Sequence, residues 1–114
     1  MIFFKSTVTE EDSRVIYFDA IDGEEALGSC TLVLGEKYAE VTELDFDQVS
    51  MFIAEGLLKS AYNYAALKNF YMAKCSVKGI EPLLKKLNFQ LKDEEYINDI
   101  PSVLMGSCGS CSSI

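Results

Sequence analysis

The segment VTELDFDQVSMFIAEGLL, residues 41–58, decides the fold of this chain. Its first six residues alternate between apolar and polar side chains, which is typical of a half-buried strand. From Val49 to about Asn69, apolar residues recur at helical spacing. Asp45 and Asp47 lie at the junction of the two patterns, where a helix N-terminus favours a capping acceptor and negative charge. The segment therefore predicts a strand that runs, with no glycine at the junction, directly into a long helix packed on a sheet.

The residues before this segment predict an antiparallel meander. Strands are expected over residues 2–9, 14–21, 25–34 and 38–46, from their β-branched and aromatic content. Asp22-Gly23 supplies the positive-φ turn of a hairpin, and Gly35-Glu36-Lys37 supplies the next turn. Only Glu10 to Ser13 separates the first two strands, which leaves no room there for a helix pair.

The residues after the long helix predict one strand and one short helix. Phe70 to Val77 is almost continuously apolar, which favours a strand inside the sheet. Pro82 is tolerated in the first turn of a helix, and Asn88 can adopt the left-handed conformation that ends one. The helix between them has an apolar stripe formed by Ile80, Leu83, Leu84 and Leu87.

The C-terminal part predicts a closing pair of strands and a tail. Phe89 to Lys92 and Ser102 to Met105 are interpreted as an antiparallel pair around the acidic loop Asp93 to Asp99. Residues 107–114 are rich in Gly, Ser and Cys, which indicates a flexible tail. We therefore expect a single domain over residues 1–106.

Composition excludes several classes of partner. The net charge is −8 and Arg14 is the only arginine, which argues against nucleic-acid binding. No apolar run approaches the roughly 18 residues that a membrane helix needs, and the N-terminus does not resemble a secretory signal, so we expect a cytoplasmic protein with no membrane partner. Its four cysteines are then expected to be reduced. Histidine is absent, so acid/base chemistry falls to other groups.

Four segments together carry a family resemblance. They are Tyr17-Phe18-Asp19-Ala20-Ile21-Asp22-Gly23 followed by Gly28, Tyr38-Ala39-Glu40-Val41 leading to Leu44-Asp45-Phe46, Ile80 to Phe89, and Val103-Leu104-Met105. Because these segments follow one another in the family's order over about residues 14 to 105, the chain resembles the Gcn5-related N-acetyltransferase (GNAT) family. The resemblance implies an α+β (broadly α/β) fold of the acyl-CoA N-acyltransferase type. Its mixed, mostly antiparallel sheet would carry one long and one short helix, with the family's first helix pair missing.

The resemblance also implies a cofactor, a substrate class and site residues. The cofactor would be acetyl-CoA, held by Leu44, Phe46 and Ala54, and the acceptor would be a small-molecule or protein amine. Glu40 matches the position of the family's general base, although a solvated carboxylate on a sheet face is the alternative.

Two positions and the length of one loop depart from the family's pattern. Phe52 stands where the family has a phosphate-loop glycine, the loop is about two residues shorter, and Leu84 replaces a frequent tyrosine acid. Because glycine lets the backbone approach phosphates closely, we expect the loop to bind the pyrophosphate of coenzyme A more weakly than in the family.

The sequence leaves two functions open. One is an N-acetyltransferase that transfers the acetyl group of acetyl-CoA to an amine. The other is a non-catalytic module of the same fold, for binding or assembly. In that module the CxxC pair Cys108 and Cys111 would be a redox-active pair or a metal-binding pair, and a simple exposed dithiol is the alternative. Without the helix pair, the acceptor site would be open or completed by a second subunit in a homodimer. Cys75 is interpreted as a buried core cysteine.

Overall fold

A computed structural model describes residues 2–8, 13–47 and 51–105 of the chain. The elements in chain order are β1 (Ile2–Val8), β2 (Val15–Asp22), β3 (Glu25–Leu34), β4 (Tyr38–Phe46), α1 (Met51–Leu67), β5 (Met72–Cys75), α2 (Glu81–Lys86), β6 (Gln90–Lys92), β7 (Glu95–Asp99) and α3 (Ile100–Met105). The strands form one sheet in the order β1-β2-β3-β4-β5-β7-β6. All neighbours are antiparallel except β4 and β5. The predicted mixed, mostly antiparallel sheet is confirmed.

The N-terminal meander has the predicted turns. Gly23 has a φ of +65°, which fits the hairpin between β2 and β3. Strands β1 and β2 pair directly, with residues 9–14 between them, of which 9–12 lie outside the described part. The predicted caps of α1, Asp45 and Asp47, stay a prediction because residues 48–50 also fall outside it.

Helix α1 covers one face of the sheet, which we call the inner face. Its buried stripe consists of Ile53, Ala54, Leu57, Leu58, Ala61, Tyr62 and Ala65. Alternate strand residues such as Phe18, Leu32 and Val41 are buried against it. The residues between them project from the opposite side, which we call the outer face. The outer face thus carries the charged side chains of the central strands.

The closing part of the fold differs from the prediction. Residues Ser102 to Met105, including the segment Val103-Leu104-Met105, belong to α3 and do not form a strand. The strand that pairs with β6 is β7, which the sequence analysis assigned to an acidic loop. The turn between them is only Asp93-Glu94, with φ values of 52° and 66° that suit a tight hairpin.

Helix α3 was not predicted, and the residues at its start show why Ser102 to Met105 form a helix and not a strand. The carboxylate of Asp99 accepts hydrogen bonds from the backbone N–H and the hydroxyl of Ser102, both at 2.9 Å. Pro101 follows in the first turn, where the lack of an N–H costs nothing. Asp99 is therefore an N-cap. Within the described residues, the sheet carries three helices where two were predicted.

Two other predictions hold in this region. Strand β5 lies inside the sheet, between β4 and β7, as its apolar run indicated. Asn88 has a φ of +68° just after α2, in the left-handed conformation expected there. The tail predicted over residues 107–114 lies beyond the part of the chain that the structure describes.

Candidate functional site

Strands β4 and β5 separate halfway along β4. Their parallel ladder joins Tyr38–Val41 to Met72–Cys75, and the N–H of Ser76 donates to the carbonyl of Val41 at 3.1 Å. Strand β4 continues to Phe46, and no strand of the described residues pairs with that side of it beyond Val41. We call this opening the fork. It exposes a row of backbone donors and acceptors next to the segment that leads into α1.

A β-bulge lies at the fork. Thr31 pairs with Glu43 and Leu32 pairs with Val41, so Thr42 is an extra residue on β4. A bulge of this kind bends its strand and increases its twist. The bend falls where β4 and β5 part.

The three residues predicted to hold the cofactor lie in two places. Leu44 and Phe46 are half-buried on β4 beyond the fork. Ala54 is completely buried on the inner side of α1, where its small side chain allows the helix to pack close to the sheet. Their cofactor-binding roles stay a prediction.

Glu40, the predicted base, projects from the outer face one residue before the fork. It is half-buried, and its Cα is in register with Lys74 of β5. The Lys74 amine lies 2.9 Å from the Glu95 carboxylate. This hydrogen bond and, secondarily, the charge of Glu40 raise the pKa of Lys74. A cation therefore stays beside Glu40.

A cleft of about 240 Å³ lies between the start of α1 and α2. Its lining consists of Met51, Phe52, Glu55, Pro82, Leu83 and Lys86. The Phe52 side chain is 64% exposed, so the aromatic residue at the expected glycine position faces this cleft instead of the core. Sequence reasoning missed Lys86, whose amine lies 2.8 Å from Glu55, because 31 residues separate the two.

A second cleft, of about 370 Å³, lies near the end of β4. Asp19, Asp45 and Asp47 are among its lining residues, with Gly28 and Phe46 between them. Within the described ranges, no group of three or more Cys, Asp or Glu residues could hold a metal ion. The acidic lining is suited to positively charged organic groups.

The described thiols are buried. Burial raises the pKa of Cys75 to about 11, and that of Cys30 to about 12 with a further contribution from Cys75. Cys75 is 2% exposed, so the prediction of a core cysteine is confirmed. Cys108 and Cys111 are outside the described residues, and their role stays a prediction.

No helix in the described part of the chain combines the length and the apolar character that crossing a bilayer requires. No protein-family model and no curated protein sequence matches the chain.

Several solved structures share its fold. The PaiA N-acetyltransferase of Thermoplasma acidophilum, solved with coenzyme A, superposes with a TM-score of 0.60 at 16% identity over 74% of this chain and 58% of its own. A GNAT-family protein from Desulfovibrio desulfuricans gives 0.67 at 8% identity, covering 88% of this chain and 99% of that one. FeeM, an N-acyl amino acid synthase from uncultured soil microbes, gives 0.64 at 18% identity, covering 86% and 77%. The chain thus spans less than two thirds of the PaiA enzyme. At these identities the similarity establishes the GNAT fold alone.

Proposed function

We propose that this chain, which has the GNAT fold, transfers the acetyl group of acetyl-CoA to an amine. The observation that carries the proposal is the fork. Acetyl-CoA would supply the acetyl group as an activated thioester. Its pantetheine arm is an extended chain with two amides, and an open strand edge binds such a chain by strand-like hydrogen bonds. The side of β4 beyond Val41, which no described strand pairs with, fits this arm.

The cleft between α1 and α2 fits the nucleotide end of the same molecule. The first described turn of helix α1 has no acidic residue, and the two carboxylates that precede it, Asp45 and Asp47, line the other cleft, so the helix dipole would favour phosphate groups on this side. The exposed ring of Phe52 offers a flat surface on which a base can stack. Lys86, which is paired with Glu55 at 2.8 Å, lies at the edge of the cleft and would have to turn from Glu55 toward the phosphate groups. An aromatic ring and a lysine would here take over part of the role of the missing glycine loop.

The acceptor amine would approach over the outer face. Glu40 lies there next to the fork and would take a proton from the amine, directly or through water. A backbone N–H of β4 just beyond Val41 would polarise the carbonyl that the amine attacks. The C–S bond of the thioester would break as the amide bond forms, and coenzyme A would leave as a thiolate that takes up a proton from water. The acidic cleft nearby would attract a protonated small-molecule or protein amine before it loses this proton.

Calorimetric titration with acetyl-CoA tests the proposal. We expect binding in the micromolar range for the unmodified protein. Base–aromatic stacking is worth roughly 1–3 kcal/mol, so Phe52→Ala should weaken binding about 5- to 150-fold. Phe3→Ala is the matched control, because Phe3 is 60% exposed on the edge strand β1 and does not line this cleft. Equal loss in both variants would contradict the assignment of the cleft.

Absence of heat at millimolar acetyl-CoA would remove the enzyme proposal. The second candidate, a non-catalytic module of the same fold, would then take its place, and the Cys108 and Cys111 thiols would be counted with and without a chelator. The main proposal includes a homodimer in which the second subunit completes the binding site for the acceptor amine. Light scattering that shows only monomer would remove it. The cytoplasmic location stays a prediction from the sequence.

A further inference from the structure

Tyr62 is the only fully buried tyrosine among the described residues, and its hydroxyl lies at the end of the β4–β5 ladder. The hydroxyl donates to the carbonyl of Lys74 at 2.6 Å. The backbone N–H of Val41 lies close enough to this hydroxyl to oppose the rise in its pKa that burial causes. One side chain of α1 therefore contacts the backbones of both strands.

These two contacts fall at the last step before the strands part. Val41 is the final residue of β4 that pairs with β5, and its carbonyl receives the N–H of Ser76. Beyond this step, the described part of the chain offers β4 no further partner on that side. The end of a ladder opens more readily than its middle, because fewer neighbouring bonds hold it closed.

The Tyr62 ring is held firmly enough to fix this step. It is completely buried in α1, and its ring centroid lies 5.8 Å from that of Phe89. A buried polar group that has its hydrogen-bond partners specifies one arrangement of the backbone, because any other arrangement leaves groups unsatisfied. Helix α1 thus determines where the two strands separate.

We propose that Tyr62 is a positioning residue, whose hydroxyl pins β4 to β5 at the fork and so sets how deep the acetyl thioester can enter between the strands. The part of the inference that concerns the thioester rests on the proposed function. The part that concerns the strands does not, and it can be measured on the protein without ligand.

The test compares Tyr62→Phe with Tyr64→Phe, a matched change two residues further along the same helix. Tyr64 is half-buried, and its ring contacts Phe18 and Lys68. Amide hydrogen exchange is followed by NMR at Val41 and Ser76, with Ala39, earlier in the same ladder, as the internal reference. Losing one hydrogen bond of typical net strength should speed exchange at Val41 and Ser76 roughly tenfold relative to Ala39 in Tyr62→Phe, and not in Tyr64→Phe. Acetyl-CoA affinity should fall by a similar factor in Tyr62→Phe alone.

Each outcome decides a part of the inference. Unchanged exchange at Val41 and Ser76 would overturn the pinning role. Faster exchange with unchanged affinity would overturn the positioning of the thioester. If the unmodified protein binds no acetyl-CoA, the proposed function fails and the thioester role fails with it, while the exchange data still decide whether Tyr62 holds the fork.

A measurement on the unmodified protein covers the case in which Tyr62→Phe does not fold. The Tyr62 hydroxyl proton should exchange slowly with water and should show a nuclear Overhauser effect to the Val41 amide. A hydroxyl proton that exchanges too fast to be observed would contradict the proposal.

Discussion

Gly28→Ala tests the packing that places α1 against the end of β4. A Cβ on Gly28 would lie 2.7 Å from the backbone oxygen of Asp45, and 3.3 Å from methyl groups of Ile53 and Leu57. The first contact is with backbone, which cannot rotate away, and the other two are with fully packed side chains of α1. The added methyl group must therefore push β3 away from β4 or lift the helix.

The magnitude follows from two opposing effects. Overpacking a tight site costs typically about 1–3 kcal/mol. Replacing glycine in a strand returns roughly 0.5–1 kcal/mol, because the unfolded chain becomes less flexible. We expect the free energy of unfolding to fall by about 1–2 kcal/mol, which lowers Tm by about 4–8 °C for a domain of this size.

Thermal and urea unfolding followed by circular dichroism measure this change. Ser29→Ala is the control, because Ser29 is the next residue of β3 and projects from the outer face. Its free energy of unfolding should change by less than about 0.5 kcal/mol. A Gly28→Ala protein as stable as the unmodified one would refute the packing argument.

Three further changes can be measured on the same protein. Cys30 and Cys75 should resist alkylation in the native state at pH 8, because their pKa values of about 12 and about 11 keep the buried thiols protonated, and both should react in urea. Asp99→Ala should lower the free energy of unfolding by about 1 kcal/mol at pH 7. The hydroxyl of Ser102, and to a lesser extent its N–H, hold the pKa of Asp99 below its usual range. The stabilisation by Asp99 is therefore fully present above the pKa that this carboxyl has in the unfolded chain. In acid unfolding experiments it should disappear as the pH falls through the lower pKa of the folded protein. Asn88→Ala should destabilise by about 1 kcal/mol in urea titration while Asn88→Gly should not, because only glycine adopts the left-handed conformation freely.

Local patterns were enough to predict most of the fold. The alternation in β2, β3 and β4 and the turn at Gly23 depend on neighbouring residues, and so do the helical spacing of α1 and the left-handed Asn88. Strand β7 could not be recognised in this way, because its acidic residues conceal its pairing with β5 and β6. Asp99, followed by Pro101, was a readable start signal for α3 that the sequence analysis overlooked.

The candidate site was harder to predict because distant residues form it. The fork depends on where Val41 stops pairing with β5, more than 30 residues away along the chain. Tyr62 has the spacing of an ordinary core residue, and only the fold shows that its hydroxyl reaches both strands. The cleft beside Phe52 likewise requires α1 and α2 to be placed together.

Backbone amide shifts recorded by NMR during titration with acetyl-CoA test the central claim most directly. If the fork holds the acetyl-pantetheine arm, the largest shifts will fall on residues 42–46, on Ser76 and at the start of α1. Saturation of the protein with shifts confined to the other end of the sheet, for example around Arg14 and Lys68, would contradict the account. The same conclusion would follow if millimolar acetyl-CoA produced no shifts at all.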